Sequence, residues 1–163
     1  MIIEVDADLL EYPMDGFMHQ CNCFHTMGGG IALRIKQQYP EAYKADREHG
    51  RRGDITRLSK MSVVKSHDDK YIYNVYGQYN FGGWKRNTSY DALYSGLEMV
   101  RSHALEANVR SLGLPKNMGC RLGGGSWTVV RAIIEDIFAD CNQIELNICN
   151  YEPTPQTYPP DSD

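Results

Sequence analysis

Short apolar runs alternate with longer segments of helical periodicity along most of the chain. The short runs are apolar or rich in β-branched residues, and their length is that of a strand. They predict six strands: Ile2 to Val5, Phe17 to Asn22, Met61 to Lys65, Tyr71 to Tyr76, Ser111 to Leu114 and Ile144 to Cys149. Because helical patterns fill most of the gaps between these strands, the chain is predicted to fold as an α/β sandwich.

The helical patterns predict three helices. They run from Ile31 to Tyr43 with an interruption at Pro40, from Tyr90 to about Ala107, and from Trp127 to about Ala139. Thr88, with Asp91 three residues later, predicts the N-cap of the second helix. The third helix is expected to bury one apolar stripe, which comprises Trp127, Val130, Ile133, Ile134, Ile137 and Phe138.

Length and composition indicate one globular domain. The chain has 163 residues, of which 42% are hydrophobic and 23% charged, so collagen-like and wholly disordered classes are excluded. We assign the domain to residues 1–150. Residues 151–163 hold four of the seven prolines and end in acidic residues, so this tail is expected to be extended or disordered.

The charge balance and the cysteines bear on partners and location. The formal net charge of −4 argues against a surface that coats nucleic acid. An anionic ligand would therefore be held locally, by backbone N–H groups. The chain has no long apolar run and no basic leader, and it has an odd number of cysteines, five. We therefore expect a cytoplasmic protein that binds no membrane. We also expect a monomer.

Two triple-glycine loops are the main candidates for ligand binding. The first glycine loop, residues 19–32, includes Gly28, Gly29 and Gly30, and the second glycine loop, residues 115–127, includes Gly123, Gly124 and Gly125. Each leaves a predicted strand and enters a predicted helix, where α/β sheets bind ligands. Their N–H groups and the positive ends of the helices attract phosphate, so the pair predicts a diphosphate clamp. Neither loop has P-loop or G-x-G-x-x-G spacing, and no cofactor is expected.

Zinc-ligand residue types alternate through the first glycine loop, at His19, Cys21, Cys23 and His25. Alternate residues of an extended strand lie about 6.6 Å apart. Four ligands that each lie about 2.0 to 2.3 Å from one zinc ion must be closer together than that. We therefore expect no metal and interpret the cysteines as small buried hydrophobes.

Histidines flank an asparagine in the same loop. His19 and His25 share it with Asn22, and an imidazole titrates near neutral pH, so one of the two histidines is a candidate for catalysis or substrate binding. Cys120, in the second glycine loop, is the one thiol that is predicted to face a ligand. Between strand and helix, Tyr79, Phe81 and Trp84 are candidates for a flap that stacks on a base or a ribose.

Several motifs together carry a resemblance to a known family. They are His19-Gln20-Cys21-Asn22-Cys23, Met27 to Ala32, Tyr39-Pro40-Glu41-Ala42, Tyr71 to Gln78 and Gly119 to Trp127. With these motifs the chain resembles a macro domain, an ADP-ribose-binding α/β/α fold with a mixed central sheet. It looks closest to the stand-alone ADP-ribose-1''-phosphate phosphatases of yeast and bacteriophages. The resemblance covers roughly residues 1–150.

The resemblance implies roles for individual residues. Asp15 would accept the adenine amino group, Asn22 would hydrogen-bond the distal ribose, and His19 would act in turnover. The backbone of both glycine loops would hold the diphosphate and the terminal phosphate. The predicted ligand contacts are completed by Ile31, Gln78, Gly119, Cys120 and Ser126.

The implied reaction is the metal-free hydrolysis of ADP-ribose-1''-phosphate to ADP-ribose and phosphate. Two alternatives stay open: a module that binds ADP-ribose or a related nucleotide without chemistry, and a hydrolase that removes ADP-ribose from modified macromolecules. Related hydrolases of the second kind have a lysine after the middle strand and an aspartate in the second loop. The matching positions here are near Gly77 and at Gly123. Phage-type relatives usually have Gly and Asp where this chain has Arg121 and Ser126.

Overall fold

The computed structural model describes residues 1–83 and 85–152, and within them the chain forms one mixed six-stranded sheet. The strands are β1 (Ile2–Val5), β2 (Gly16–Gln20), β3 (Met61–Lys65), β4 (Tyr71–Val75), β5 (Ser111–Pro115) and β6 (Glu145–Cys149). Their order across the sheet is β1-β6-β5-β2-β4-β3. Strand β3 is antiparallel to β4, and the other neighbours are parallel. The predicted mixed sheet is thus confirmed.

Helices cover both faces of the sheet. They are α1 (Gly30–Gln38), α2 (Pro40–His49), α3 (Tyr90–Glu106) and α4 (Trp127–Phe138), with a 3₁₀ turn at Ile55–Arg57. One apolar core lies between the sheet and α1 and α2, and the other lies between the sheet and α3 and α4. This arrangement confirms the α/β/α sandwich. Within the described residues, no helix is long and apolar enough to cross a bilayer.

Two local details differ from the sequence prediction. The helix predicted from Ile31 is two helices, because Pro40 lacks an N–H group and starts α2 at its first position. The predicted N-cap of α3 was wrong by one residue: Ser89 Oγ accepts from the N–H of Ala92 at 3.3 Å. Thr88 is instead buried, with its hydroxyl donating to the carbonyl of Gly119 at 2.7 Å.

Strand β2 connects the sheet to the first glycine loop. Its side chains alternate between the two cores: Phe17 packs toward α1 and α2, and Met18 toward α3 and α4. His19 therefore shares the face of Phe17, and Gln20 shares the face of Met18. Because β2 and β5 are parallel neighbours, the loops that follow them leave the sheet at the same side, which we call the carboxyl edge.

The predictions for the tail and for part of the flap fall outside the described residues. Trp84 and residues 153–163 belong to this group. The division into a domain at 1–150 and a tail at 151–163 stays a prediction.

Candidate ligand site at the carboxyl edge

The two glycine loops meet at one side chain. Leu122 of the second glycine loop is 73% exposed, and a Cβ at Gly29 would lie 3.1 Å from its Cδ1 atom. A Cβ at Gly28 would meet no atom of the described residues within 4 Å. The loops are therefore neighbours on one surface, which we call the cradle, and Gly28 faces open space beside it.

Two glycines of the cradle adopt backbone conformations that other residues rarely adopt. Gly30, the first residue of α1, has φ of +58°, and Gly124 has φ of +71°. A Cβ in this region collides with the following carbonyl oxygen, which costs about 1–2 kcal/mol. Gly29, by contrast, has φ of −148°, so its place in the loop does not depend on positive φ.

The cradle lies at the N-termini of two helices that lack side-chain caps. Helix α1 begins after Gly29 and α4 after Ser126, and neither cap residue accepts a hydrogen bond with its side chain. Neither helix has an acidic residue in its first turn, whereas α3 has both a Ser89 cap and Asp91. No Asp or Glu occurs in either glycine loop. Unpaired N–H groups at positive helix ends favour an anion at this surface.

The other predicted contacts of the second glycine loop lie beside the cradle. Ser126 donates its N–H to Tyr90 Oη at 2.9 Å. This hydrogen bond, together with Arg86, lowers the pKa of Tyr90. Cys120 is half-buried with Sγ 3.4 Å from the carbonyl oxygen of Met118, and burial raises the pKa of its thiol.

Asn22 organises the turn that follows β2. Its Oδ1 atom accepts from the N–H of Phe24 at 2.8 Å, and its Nδ2 atom donates to Thr26 Oγ1 at 2.6 Å. Only 8% of Asn22 is exposed. The side chain thus fixes the approach to Gly28, and its predicted contact with a ribose stays a prediction.

His25 lies three residues before Gly28 with a left-handed backbone, φ +58°. Its Nε2 atom lies 2.8 Å from the carbonyl oxygen of Gly50. Because a carbonyl oxygen only accepts, Nε2 carries the proton, and Nδ1 of the neutral ring is left with a lone pair. His25 is partly exposed, and its role in catalysis or substrate binding stays a prediction.

The structure contradicts the assignment of His19 to turnover. His19 is 0% exposed beneath α2, on the sheet face opposite to Gln20. Its Nε2 atom donates to Asn74 Oδ1 at 2.6 Å, and Cys21 Sγ lies 3.4 Å from the same nitrogen. Burial lowers the pKa of the imidazole. The ring therefore lies away from solvent in this structure, where it serves the packing between β2 and β4.

The structure also contradicts the assignment of Asp15 to adenine. Asp15 directly precedes β2, so it lies at the amino edge of that strand, opposite to both glycine loops. Its Oδ2 atom accepts from the N–H groups of Arg110 and Ser111 at 2.8 and 3.1 Å. The carboxylate therefore caps the start of β5 and is remote from the cradle.

Asp8 is a candidate that the sequence analysis missed. It follows β1, which is parallel to β6, and so lies at the carboxyl edge. Its Oδ2 atom pairs with Arg34 of α1 at 2.5 Å, and the guanidinium carbon of Arg34 lies 5.4 Å from the centre of the Tyr151 ring. The signal was available, because an acidic residue just after a strand lies where ligands bind.

The predicted flap, residues 78–84, belongs to the segment between β4 and α3, and because β4 is parallel to β2, the described part of this segment follows β4 at the same edge of the sheet. Gln78 accepts from Gln20 Nε2 at 2.7 Å. Tyr79 is held by a hydrogen bond from its hydroxyl to the carbonyl of Gly53 at 2.6 Å and packs edge-on against Phe24. Phe81 is 46% exposed, so of the described flap aromatics it is the one free to stack on a ligand.

Comparisons with known proteins agree with this geometry. The model of one protein family, described as the macro domain, matches residues 18–134, which is more than half of the chain. The macrodomain of Mycobacterium tuberculosis DarG superposes with a TM-score of 0.79 at 27% identity, covering 94% of this chain and 99% of that one.

Three curated relatives differ in how much they share with the chain. An uncharacterised 17.5 kDa protein of Enterobacteria phage T4 is 28% identical over 94% of this chain and 99% of its own length. A DNA ADP-ribosyl glycohydrolase of Thermus aquaticus is 26% identical over 94% of this chain, which spans 41% of that relative. An ADP-ribose 1''-phosphate phosphatase of Aspergillus oryzae is 46% identical over 50 residues, which are 29% of this chain and 24% of its own.

Proposed function

The chain belongs to the macro domain family, and on that premise we propose that its cradle binds ADP-ribose-1''-phosphate and hydrolyses it to ADP-ribose and phosphate. The observation that carries the proposal is the pair of uncapped helix N-termini with no carboxylate in either glycine loop. The N–H groups at the starts of α1 and α4 are the donors that this surface offers to phosphate, since those of Gly125 and Ser126 already bond the Gly119 carbonyl and Tyr90. ADP-ribose-1''-phosphate has a third phosphate group, so it gains more binding free energy from this surface than ADP-ribose attached to an uncharged acceptor does.

Different residues of the carboxyl edge bind different parts of the ligand. The first glycine loop and the start of α1 hold one part of the phosphate groups, and the second glycine loop and the start of α4 hold the other. Asp8 takes the role first given to Asp15, because it lies at the same edge as the loops. Asn22 shapes the turn where the distal ribose binds, and Phe81 covers the ligand from the flap.

His25 is the proposed general base. A water molecule attacks the phosphorus atom, a new P–O bond forms, and the bond between phosphorus and the 1'' oxygen breaks. Nδ1 of His25 takes the proton of the water and returns it to the departing oxygen, while Nε2 stays bound to Gly50. The loop N–H groups stabilise the charge that develops on the phosphoryl oxygens. The reaction consumes one water and needs no metal.

A second candidate is the removal of ADP-ribose from a modified macromolecule. The match of the Thermus aquaticus DNA ADP-ribosyl glycohydrolase to 94% of the chain favours it. Position 123 weighs against it, because Gly123 stands where such hydrolases carry a carboxylate and a side chain there has no room.

One experiment separates these functions from simple binding. The protein is incubated with ADP-ribose-1''-phosphate and, separately, with ADP-ribosylated protein and ADP-ribosylated oligonucleotide, and released phosphate and ADP-ribose are measured. Calorimetry gives the affinity for ADP-ribose. Phosphate release supports the phosphatase, ADP-ribose release supports the second candidate, and affinity without release contradicts both. Failure to bind either nucleotide at millimolar concentration, in folded protein, would refute the cradle.

A further inference from the structure

The second glycine loop is held by one buried threonine that directly precedes the N-cap of α3. Thr88 is 2% exposed. Its hydroxyl donates to the carbonyl of Gly119 at 2.7 Å, and its N–H donates to the carbonyl of Gly123 at 3.0 Å. The N–H of Asn87 reaches the same Gly123 carbonyl at 2.8 Å. One residue outside the loop thus holds it at two points, four residues apart.

The space beside Gly123 is already filled. A Cβ at this position would collide with Thr88 Oγ1 and would lie 2.6 Å from the carbonyl oxygen of Gly119. Gly123 needs no positive φ, so backbone conformation does not explain the glycine. The hydrogen bonds from Thr88 to the Gly119 and Gly123 carbonyls, which we call the clasp, explain it, because the Thr88 hydroxyl and the Gly119 carbonyl that it holds together occupy the volume of a side chain at 123.

The side-chain amide of Gln20 stabilises the clasp. Gln20 Nε2 donates to Thr88 Oγ1 at 2.8 Å, and its Oε1 atom lies 2.5 Å from where a Cβ of Gly77 would be and 2.8 Å from that of Gly119. This Oε1 atom is buried and has no hydrogen-bond partner among the described residues. A buried acceptor without a partner costs free energy, which indicates that the position of the amide is kept for what its N–H groups do.

The part of the loop that faces the ligand comes directly after these anchor points in the chain. Gly124, with φ +71°, and Gly125 come next in the chain, and the N–H of Gly125 donates to the Gly119 carbonyl that Thr88 also holds. The free N–H groups at the start of α4 begin two residues later. Displacing the two anchored carbonyls would therefore turn these N–H groups away from the cradle.

We propose that Thr88 is a positioning residue, which locks the second glycine loop in the form that directs the free N–H groups at the start of α4 toward the phosphates of the ligand. The inference rests on the proposed function of the cradle. It adds that the affinity for phosphate is set by a hydroxyl that does not touch the ligand, and that position 123 is glycine because of this hydroxyl and the Gly119 carbonyl that it holds.

The test compares hydroxyl-keeping and hydroxyl-removing variants. Thr88→Ser keeps both hydrogen bonds of the hydroxyl, to the Gly119 carbonyl and from Gln20 Nε2, and Thr88→Val keeps the shape but loses both. The backbone hydrogen bond to the Gly123 carbonyl is present in either variant. Ser62→Ala is the matched control, since Ser62 is buried on the opposite face of the sheet, where its hydroxyl bonds Tyr76 and Asn74. Calorimetry measures the affinity of each variant for ADP-ribose and for ADP-ribose-1''-phosphate, and a thermal melt measures stability.

We expect Thr88→Ser to bind like the parent and Thr88→Val to bind both nucleotides about tenfold more weakly. Ser62→Ala should lower the melting temperature without changing affinity. If Thr88→Val does not fold, Thr88→Ala replaces it, because it also removes the hydroxyl while the backbone bond to Gly123 is kept, and it should cause the same loss.

The outcomes separate the inference from the proposed function. Parent-like affinity of Thr88→Val, or equal weakening in Ser62→Ala, would overturn the clasp and leave the function of the cradle standing. A folded parent that binds neither nucleotide would overturn the proposed function, and the inference with it.

Discussion

Replacing Asp46 by asparagine should strongly destabilise the protein, because it leaves a buried cation without its counter-charge. Arg57 and Asp46 are 2% and 1% exposed, and Arg57 Nη2 lies 2.6 Å from Asp46 Oδ1. The guanidinium also donates to the carbonyl of Cys23 at 3.0 Å and to that of Asp46 at 2.8 Å. Since these bonds persist in the variant, the change isolates the loss of charge.

The expected cost is about 4 kcal/mol. Unit charges ~4 Å apart at an effective dielectric constant of ~20 interact by about that amount, and breaking a buried ion pair by removing one partner costs about 3–5 kcal/mol. For a domain of this size each kcal/mol corresponds to about 2–4 °C in melting temperature, so Asp46→Asn should lower it by roughly 10 °C.

Urea denaturation at neutral pH measures the loss, and Glu48→Gln is the control. Glu48 lies on the same helix, and its pair with Lys44 is exposed, with an N–O distance of 3.9 Å, so its charge should contribute less than about 1 kcal/mol. A free energy of unfolding that falls no further in Asp46→Asn than in Glu48→Gln would refute the reasoning. Replacing both Asp46 and Arg57 by apolar residues should recover much of the loss.

Three further outcomes are expected. Gly124→Ala forces a side chain into φ of +71° and brings its Cβ to 3.1 Å from the backbone of Arg86, so it should cost at least about 1 kcal/mol and calorimetry with ADP-ribose should show lost affinity; Asn108→Ala, also at positive φ (+57°) but just after α3, should keep it, and equal affinities would exclude the second loop from the cradle. His25→Ala should reduce phosphate release by about 10² to 10⁴ while His19→Ala keeps it, and the reverse pattern in the phosphate assay would return the role to His19. Burial lowers the pKa of His19 and His49, so below about pH 6.5, the pKa of an unperturbed histidine, the unfolded chain binds more protons than the folded protein. The urea midpoint should therefore decrease as the pH is lowered from 7.5 to 5.5. A constant midpoint would contradict neutral, buried rings.

The sequence was sufficient for the order of strands and helices, because apolar periodicity and local stop signals determine it. Pro40 and the Ser89 region show the limit. Proline marks a boundary but not whether the chain bends within one helix or starts another. Thr88 and Ser89 are both good N-cap residues, and the choice between them depends on Gly119, which lies 31 residues away from Thr88.

Sequence patterns predicted the parts of the candidate site that depend on local sequence, and missed the parts that depend on where a residue lies in the sheet. The glycine loops follow from local sequence. Whether a residue near a strand faces the cradle depends on which end and which face of the strand it occupies, and single-sequence patterns give neither with certainty. Asp15 lay at the wrong end of β2 and His19 on the wrong face, while Asp8 was overlooked because its strand lies at the far side of the sheet.

The half-buried thiol of the second glycine loop makes the native protein suitable for site-selective chemistry. All five cysteines are free, and of these Cys120 alone is not buried. A thiol-specific reagent should therefore modify one position, slowly at neutral pH because the pKa of this thiol is raised. A fluorophore attached there would report loop occupancy in real time, without removal of any other cysteine.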